Sequence, residues 1–176
     1  PGEAWSSPVL ADGKLYLTNA VAEDEDYSLR ALCLDASDGK VLWDREIFRL
    51  DGGNAPKIHK KNSHASPTPM LEGDRLYVHF GHQGTACLNL DGKVIWKKRI
   101  EYPPVHGCGS SAIIEGDLLL YSADGAKKPS LVALDKRTGQ VRWKALRDAD
   151  AKRKFSFCTP LVIEVEGQRQ IISPAS

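Results

Sequence analysis

No stretch of this chain approaches the roughly 18 consecutive apolar residues of a membrane-crossing helix, so a helical span is not expected. Charge of one sign is not in excess either. The 24 Lys and Arg balance 23 Asp and Glu at a net +1, which gives no global drive toward nucleic acid or anionic membrane. The four cysteines, Cys33, Cys87, Cys108 and Cys158, have no C-x-x-C spacing, which argues against a zinc ribbon or finger. There is no Gly-x-Ser-x-Gly elbow, no phosphate loop and no persuasive carboxylate pair, so nucleophilic Ser or Cys catalysis has no positive support. No signal peptide is visible. The chain opens at Pro1 inside a repeat pattern and reads as an excised piece, so that absence carries no information.

What the chain does have is repetition. Segments Cys33–Trp43, Ala86–Trp96 and Ala133–Trp143 are each eleven residues long and close on a tryptophan, with the tryptophans 53 and 47 residues apart. Self-similarity at that period implies a repeat architecture. A second element precedes each copy. Ser7-Pro8, Thr68-Pro69, Ser111-Ala112 and Thr159-Pro160 each lead into a short apolar run. Three of these runs turn at Ala11-Asp-Gly-Lys14, Glu72-Gly-Asp-Arg75 and Glu115-Gly-Asp117 into a second, β-rich run. Gly beside Asp between apolar runs is a hairpin signal, because the turn needs positive φ.

One unit therefore reads strand A, tight turn, strand B, longer connection, strand C, tight turn, strand D. The strands are apolar on both faces, as in sheets packed on two sides. Four antiparallel strands recurring every 50 or so residues make the blade of a β-propeller. A plain antiparallel sandwich has no reason to repeat the tryptophan. The expected fold is all-β, with blades at approximately 5–47, 65–100 and 108–147 and an incomplete one at 157–176. About three and a half blades cannot close a ring of typical size, so the expectation is a fragment of a larger propeller or a structure with open edges.

The eleven-residue segment resembles the tryptophan-docking motif of the pyrroloquinoline-quinone-type propellers, which runs Ala, any, Asp, two of any, Thr-Gly, three of any, Trp. Ala133, Asp135, Thr138, Gly139 and Trp143 match it fully. The first copy keeps Asp35, Gly39 and Trp43, with Cys33 for Ala and Asp38 for Thr. The second keeps Ala86, Gly92 and Trp96, with Leu88 for Asp and Asp91 for Thr. The family includes quinoprotein dehydrogenases that use the quinone with calcium. It also includes a cofactor-free propeller lipoprotein that assists outer-membrane β-barrel assembly, and many exported bacterial propellers. The resemblance thus implies an exported, periplasmic setting and docking roles for Trp43, Trp96, Trp143, Gly39, Gly92 and Gly139. Several of the family's dehydrogenases cover the quinone with adjacent cysteines. This chain has no Cys-Cys pair and no residues that match the calcium and base positions, so the quinone name is not carried over as a function.

Three tryptophans at one repeat position favour structure over ligand stacking, and Trp5, outside the motif, is expected to pack as well. Turns A–B and C–D fall on one rim. The stretches expected to be long and irregular, Ala20–Ser28, Phe48–His64, Glu101–Cys108 and Leu146–Phe157, fall on the other. Function tends to sit on loops held by a rigid scaffold, so any binding rim is placed there. Its candidate residues are His59, His64, His106, Lys60, Lys61, Arg153 and Lys154, with an acidic patch at Glu23–Asp26 beside them. His79 and His82 bracket Phe80-Gly81. Lining histidines can hold a metal or move protons, but no companion carboxylate set is visible, so hydrogen-bonded structural histidines are the default. Cys108 and Cys158 precede successive A strands, where free thiols are favoured over a disulfide. Cys33 and Cys87 read as small core residues.

The reading favours a non-catalytic scaffold or binding module, with a protein partner or the remaining blades against it. It favours no cofactor, no metal, no nucleic acid and no membrane span. The alternative is part of a quinoprotein-type oxidoreductase using pyrroloquinoline quinone and calcium.

Overall fold

The computed structural model describes residues 2–51, 55, 57–125, 127–147 and 154–174. These residues are all-β. Their only helical element is a single 3-10 turn, Gly81–Gln83. Three four-stranded antiparallel sheets follow one another along the chain, each in strict sequence order, and a two-stranded hairpin comes fourth. The first is β1 (Val9–Ala11), β2 (Lys14–Glu23), β3 (Asp26–Asp35) and β4 (Val41–Leu50). The second is β5 (Met70–Glu72), β6 (Arg75–His79), β7 (Thr85–Asn89) and β8 (Val94–Lys98). The third is β9 (Ile113–Glu115), β10 (Leu118–Ala123), β11 (Ser130–Asp135) and β12 (Val141–Leu146). The hairpin is β13 (Leu161–Val165) and β14 (Gln168–Ile172).

The strand period of two sorts each sheet between two cores. In β6, Leu76 and Val78, with Phe80 beyond, face the first sheet and pack with Leu29, Ala31, Ile47 and Phe48. Tyr77 faces the other way, into a cluster with Leu119, Tyr121, Val132 and Leu134 of the third sheet. Burial on both faces is why the runs are apolar throughout.

The tryptophan segments are built alike. One residue before each tryptophan, the ladder gains an extra residue. Cys33 faces Trp43 while Leu34 faces Val41, Cys87 faces Trp96 while Leu88 faces Val94, and Ala133 faces Trp143 while Leu134 faces Val141. Leu42, Ile95 and Arg142 are therefore bulge residues, and a bulge re-aims the side chain beside it.

The register also corrects the alignment of the second copy. Its turn is one residue shorter: the Gly92 N–H bonds to Asn89 O, three residues back, where Gly39 and Gly139 bond to Asp35 O and Asp135 O, four back. Asn89, not Leu88, takes the Asp place. Its Oδ1 accepts from the N–H groups of Asp91 (3.1 Å) and Lys93 (2.8 Å). Asp35 Oδ1 accepts from the Ser37 N–H at 2.8 Å, and Asp135 Oδ1 from Arg137 and Thr138, each at 3.0 Å. An amide oxygen serves as well as a carboxylate because the task is to cap a turn.

Residues Ala20–Ser28 are a correction too. They are not an irregular loop: β2 and β3 stay paired to Glu23 and Asp26 and turn through Asp24 and Glu25 alone, with Asp24 at φ 56. β4 is correspondingly long. A second bulge at Ile47, between the Leu29–Phe48 and Arg30–Glu46 pairs, lets Ile47 and Phe48 both be buried. Arg49 then reaches Glu23 and Glu46, each at 2.7 Å, and Asp26 at 3.8 Å, so two of the four acidic residues of the patch are held in an ion-pair network. Trp5 is the third correction. It is 53 % exposed, because its backbone N–H is tied to Ala65 O at 3.3 Å while the indole stays outside.

Candidate functional site

Between sheets, each indole N–H donates to a carbonyl of the next sheet's turn: Trp43 Nε1 to Leu90 O at 2.8 Å, and Trp96 Nε1 to Lys136 O at 3.0 Å. The next turn's glycine lies under the ring. A Cβ on Gly92 would meet Trp43 at 2.9 Å and one on Gly139 would meet Trp96 at 2.6 Å, and both glycines have positive φ. The docked indole thus needs glycine twice over, for backbone conformation and for space. Gly39 has the same positive φ with open space above it. Trp143 is half-buried, and among the described residues no strand beyond β14 offers it a carbonyl.

On the inner side the hydroxyl residues form a chain of bonds. The N–H of Ser7 donates to Thr68 Oγ1 (3.2 Å), that of Thr68 to Ser111 Oγ (2.9 Å), and that of Ser111 to Thr159 Oγ1 (3.0 Å). This belt fixes where successive A strands start, and so where the long connections leading into them converge.

Three of those connections meet in a crevice of about 350 Å³ lined by His59, Lys61, Asn62, His106, Gly109 and Phe157. Asn62 holds the first two together. Its Nδ2 donates to His106 O at 2.9 Å, and its Oδ1 accepts from the Ser63 N–H at 2.9 Å and from the Ser66 hydroxyl. The His59 N–H donates to the same His106 carbonyl at 3.2 Å. His106 has φ 61 and Gly107 φ 92, a sharp reversal in which a Cβ on Gly107 would sit 2.7 Å from Asn62 Nδ2. Four rings run edge to face, three of them in the lining: His59 to His106 at 5.4 Å, His106 to Phe155 at 5.9 Å and Phe155 to Phe157 at 5.6 Å. Such geometry is the preferred one for aromatic pairs. The Lys61 N–H donates to His59 Nδ1 at 3.1 Å.

The expected rim residues thus divide. His59, Lys61 and His106 come together. Lys60 is exposed on the same turn and Lys154 is exposed beside Phe155. Arg153 lies outside the described residues. His64 is elsewhere: it is buried against Tyr27, with ring centroids 4.7 Å apart, in a second crevice with Glu3 and Ile58. Burial lowers its pKa, opposed by Glu3. Asn62 and Phe157 were not singled out by sequence reasoning. The one available signal was the turn chemistry of Asn62 and of Gly107–Gly109.

The other histidines are built into the interior. His79 stacks on Tyr121 at 4.3 Å and its Nδ1 pairs with Thr85 Oγ1 at 2.8 Å. Burial, with His82 nearby, pushes its pKa down to about 3. Burial takes His82 down to about 4, helped by His64 and Arg99. Cys108 packs on Gly81 and shares a hydrogen bond with Tyr102, and burial raises its thiol to about 12. Cys158 is exposed, and all four cysteines are free. Asp124 is buried beside Arg147, whose Nη1 also reaches the Ser173 hydroxyl at 2.9 Å and ties the third sheet to the hairpin.

A calcium ion takes six to eight oxygen ligands. Among the described residues no three His, Cys, Asp or Glu converge as a metal site, and no paired thiols stand over a cavity. No helix among the described residues is long and apolar enough to cross a membrane.

A family model described as outer membrane protein assembly factor BamB matches residues 1–108 and 33–173. A curated relative with that description from Yersinia pestis is 28% identical over 155 residues, which is 81% of this chain and 34% of the relative. The chain thus spans about a third of that relative's length. Among solved structures, BamB from Moraxella catarrhalis aligns with 91% of this chain and 44% of its own, at TM-score 0.60 and 18% identity. The quinohemoprotein alcohol dehydrogenase ADHIIG from Pseudomonas putida HK5 gives TM-score 0.59 at 15% identity, over 82% of this chain and 21% of its own. A europium-containing methanol dehydrogenase gives 0.58 at 14%, over 84% and 25%. At such identities the solved structures share the propeller fold and nothing finer is carried over from them.

Proposed function

This chain belongs to the family described as outer membrane protein assembly factor BamB, and from that membership we propose that it is a non-catalytic scaffold or binding module of an exported bacterial protein. Its long-connection rim meets a protein partner in outer-membrane assembly. The observation that carries the reading is the convergence of three successive sheet-to-sheet connections on one crevice. A rigid scaffold that gathers loops at one point presents a recognition surface. The rim is also asymmetric in chemistry, with Lys60, Lys61 and Lys154 exposed on the gathered loops. Rim charges of this kind set orientation and association rate more than affinity. The quinoprotein reading rests on likeness of fold to two dehydrogenases, without a cofactor site among the described residues to favour it.

The test is site-specific photo-crosslinking in cells. A crosslinker in place of Lys60 is expected to capture a discrete envelope protein. Crosslinkers in place of Lys14, Lys40 or Lys93, on the tight-turn rim, are expected to capture little. Capture from the tight-turn rim alone would overturn the assignment.

A further inference from the structure

We propose that the crevice between residues 59–62, 106–109 and 155–157 recognises an acidic peptide segment of the partner, with an aromatic side chain flanked by carboxylates. The proposal rests on the binding-module reading and adds the chemistry of what is bound.

The walls define the ligand. One side carries the rings of His59, His106 and Phe157, linked edge to face through Phe155, and Phe157 is 43 % exposed. A free phenyl face at the end of a braced row is an apolar seat for another ring. The floor at Gly109 is backbone, because a Cβ there would already lie 3.2 Å from Phe157. About 350 Å³ is the low end of ligand-sized cavities. It holds one aromatic side chain and its neighbours, not a folded surface.

The polar groups define the charge. Among the described residues no Asp or Glu lines the crevice and Lys61 does, with no ion pair to its ammonium. His59 Nδ1 accepts from the Lys61 N–H. A neutral imidazole that accepts at Nδ1 carries its proton on Nε2, so the ring keeps a donor for a ligand. Lys60 and Lys154 extend the positive field outward. Donors without acceptors, beside an aromatic seat, match carboxylates beside an aromatic ring.

Neighbouring crevices do not share this chemistry. The one at Arg49 and Arg99 is also lined by Asp51 and Glu101, and the one at His64 by Glu3. Single-stranded nucleic acid also combines negative charge with flat rings. It is disfavoured because a strand needs a groove running over several nucleotides, whereas this crevice holds about 350 Å³.

The test is a titration of the full chain, labelled with nitrogen-15, with the probe N-acetyl-Glu-Phe-Glu-amide. Saturable shifts are expected at the Lys61, Asn62 and Gly109 amides, at probe concentrations up to about 10 mM. N-acetyl-Gln-Phe-Gln-amide and N-acetyl-Glu-Ala-Glu-amide are each expected to bind about fivefold more weakly or worse. Lys61→Glu and Phe157→Ser alter exposed side chains. Each is expected to weaken the probe by a similar factor with the rest of the spectrum unchanged. Absence of saturable shifts at these amides, equal binding of the Gln or Ala probes, or tighter binding of a ten-nucleotide oligothymidine would overturn the proposal. If the probe fails while the Lys60 crosslinker still captures its partner, the peptide assignment falls alone. If the captures come instead from the tight-turn rim, the module reading falls with it.

Discussion

His79 is a titratable group placed where it cannot titrate. It sits between the first and third sheets' cores, stacked on Tyr121 and bonded to Thr85 through Nδ1. Its pKa of about 3 lies below the roughly 6.5 of an exposed imidazole, and burial is the main cause. The folded state therefore refuses a proton that the unfolded chain accepts. Between about pH 6.5 and pH 3 the unfolded state binds more protons, so stability falls as the pH falls through that window. Above it the group contributes no pH dependence. His82, held near 4, acts in the same direction. The expected slope from each is up to about 1.4 kcal/mol per pH unit. Urea unfolding midpoints measured between pH 7 and pH 4 are expected to fall steeply, and His79→Gln to flatten the curve. A His79→Gln protein with the parent's full pH dependence would contradict this assignment. Other single residues repeat a pattern. Tyr16, Cys33 and Trp43 lie across β2, β3 and β4, and Tyr77, Cys87 and Trp96 lie across β6, β7 and β8 at matching places. The rings of each pair approach at 6.1 and 6.3 Å. Cys33 and Cys87 are thus small spacers opposite an indole, which is the core role their strands imply.

Between elements, the tryptophan and the next turn's glycine form the joint. Trp96→Ala removes a ring packed on Gly139 and leaves Lys136 O without its donor. The expected cost is about 3–5 kcal/mol, as for large-to-small changes in a core. Trp143→Ala is expected to cost less, because among the described residues that indole has no neighbouring turn to dock on. Denaturant unfolding of the two variants checks the difference, and equal losses would count against the joint. Much of this level was legible in the sequence. The order A–B–C–D, the tight turns and the repeat spacing all follow from local chemistry, in which Gly and Asp mark turns and apolar runs mark strands. What was not legible was register. A bulge at Leu42, Ile95 or Arg142 has no sequence mark of its own, and the short second turn hid Asn89 behind an ungapped alignment. The first sheet's length was missed because two adjacent apolar residues, Ile47 and Phe48, break strict alternation. The bulge that reconciles them is a tertiary solution. The crevice was half legible. Loop lengths grouped His59, Lys61 and His106, which line the crevice, on one rim. Asn62 and Phe157 depend on which loops touch, and His64 turns inward onto Tyr27.

At the scale of the molecule, sheets bury each other pairwise, and the last pair is incomplete among the described residues. β13 and β14 pair with each other only. Leu161 and Ile172 are directly opposed in that hairpin and are 59 % and 40 % exposed, and Val165 on the same face is 42 % exposed. The opposite face, with Val162 and Ile171, is half-buried. Exposed apolar residues next to a strand edge that is unpaired among the described residues favour pairing with another chain. Net charge of +1 gives little repulsion to oppose it. The 176-residue chain is therefore expected to self-associate, with a sedimentation-equilibrium mass that rises with concentration. High salt is expected to leave the association intact or strengthen it, since apolar contact rather than charge drives it. Leu161→Lys places a charge on that face, opposite Ile172, and is expected to shift the population toward monomer. It leaves the 59–62 and 106–109 loops untouched, so Lys60 crosslinks are expected to persist in that variant. A parent chain that stays monomeric at high concentration, with a cooperative melt, would show that this face is covered from within.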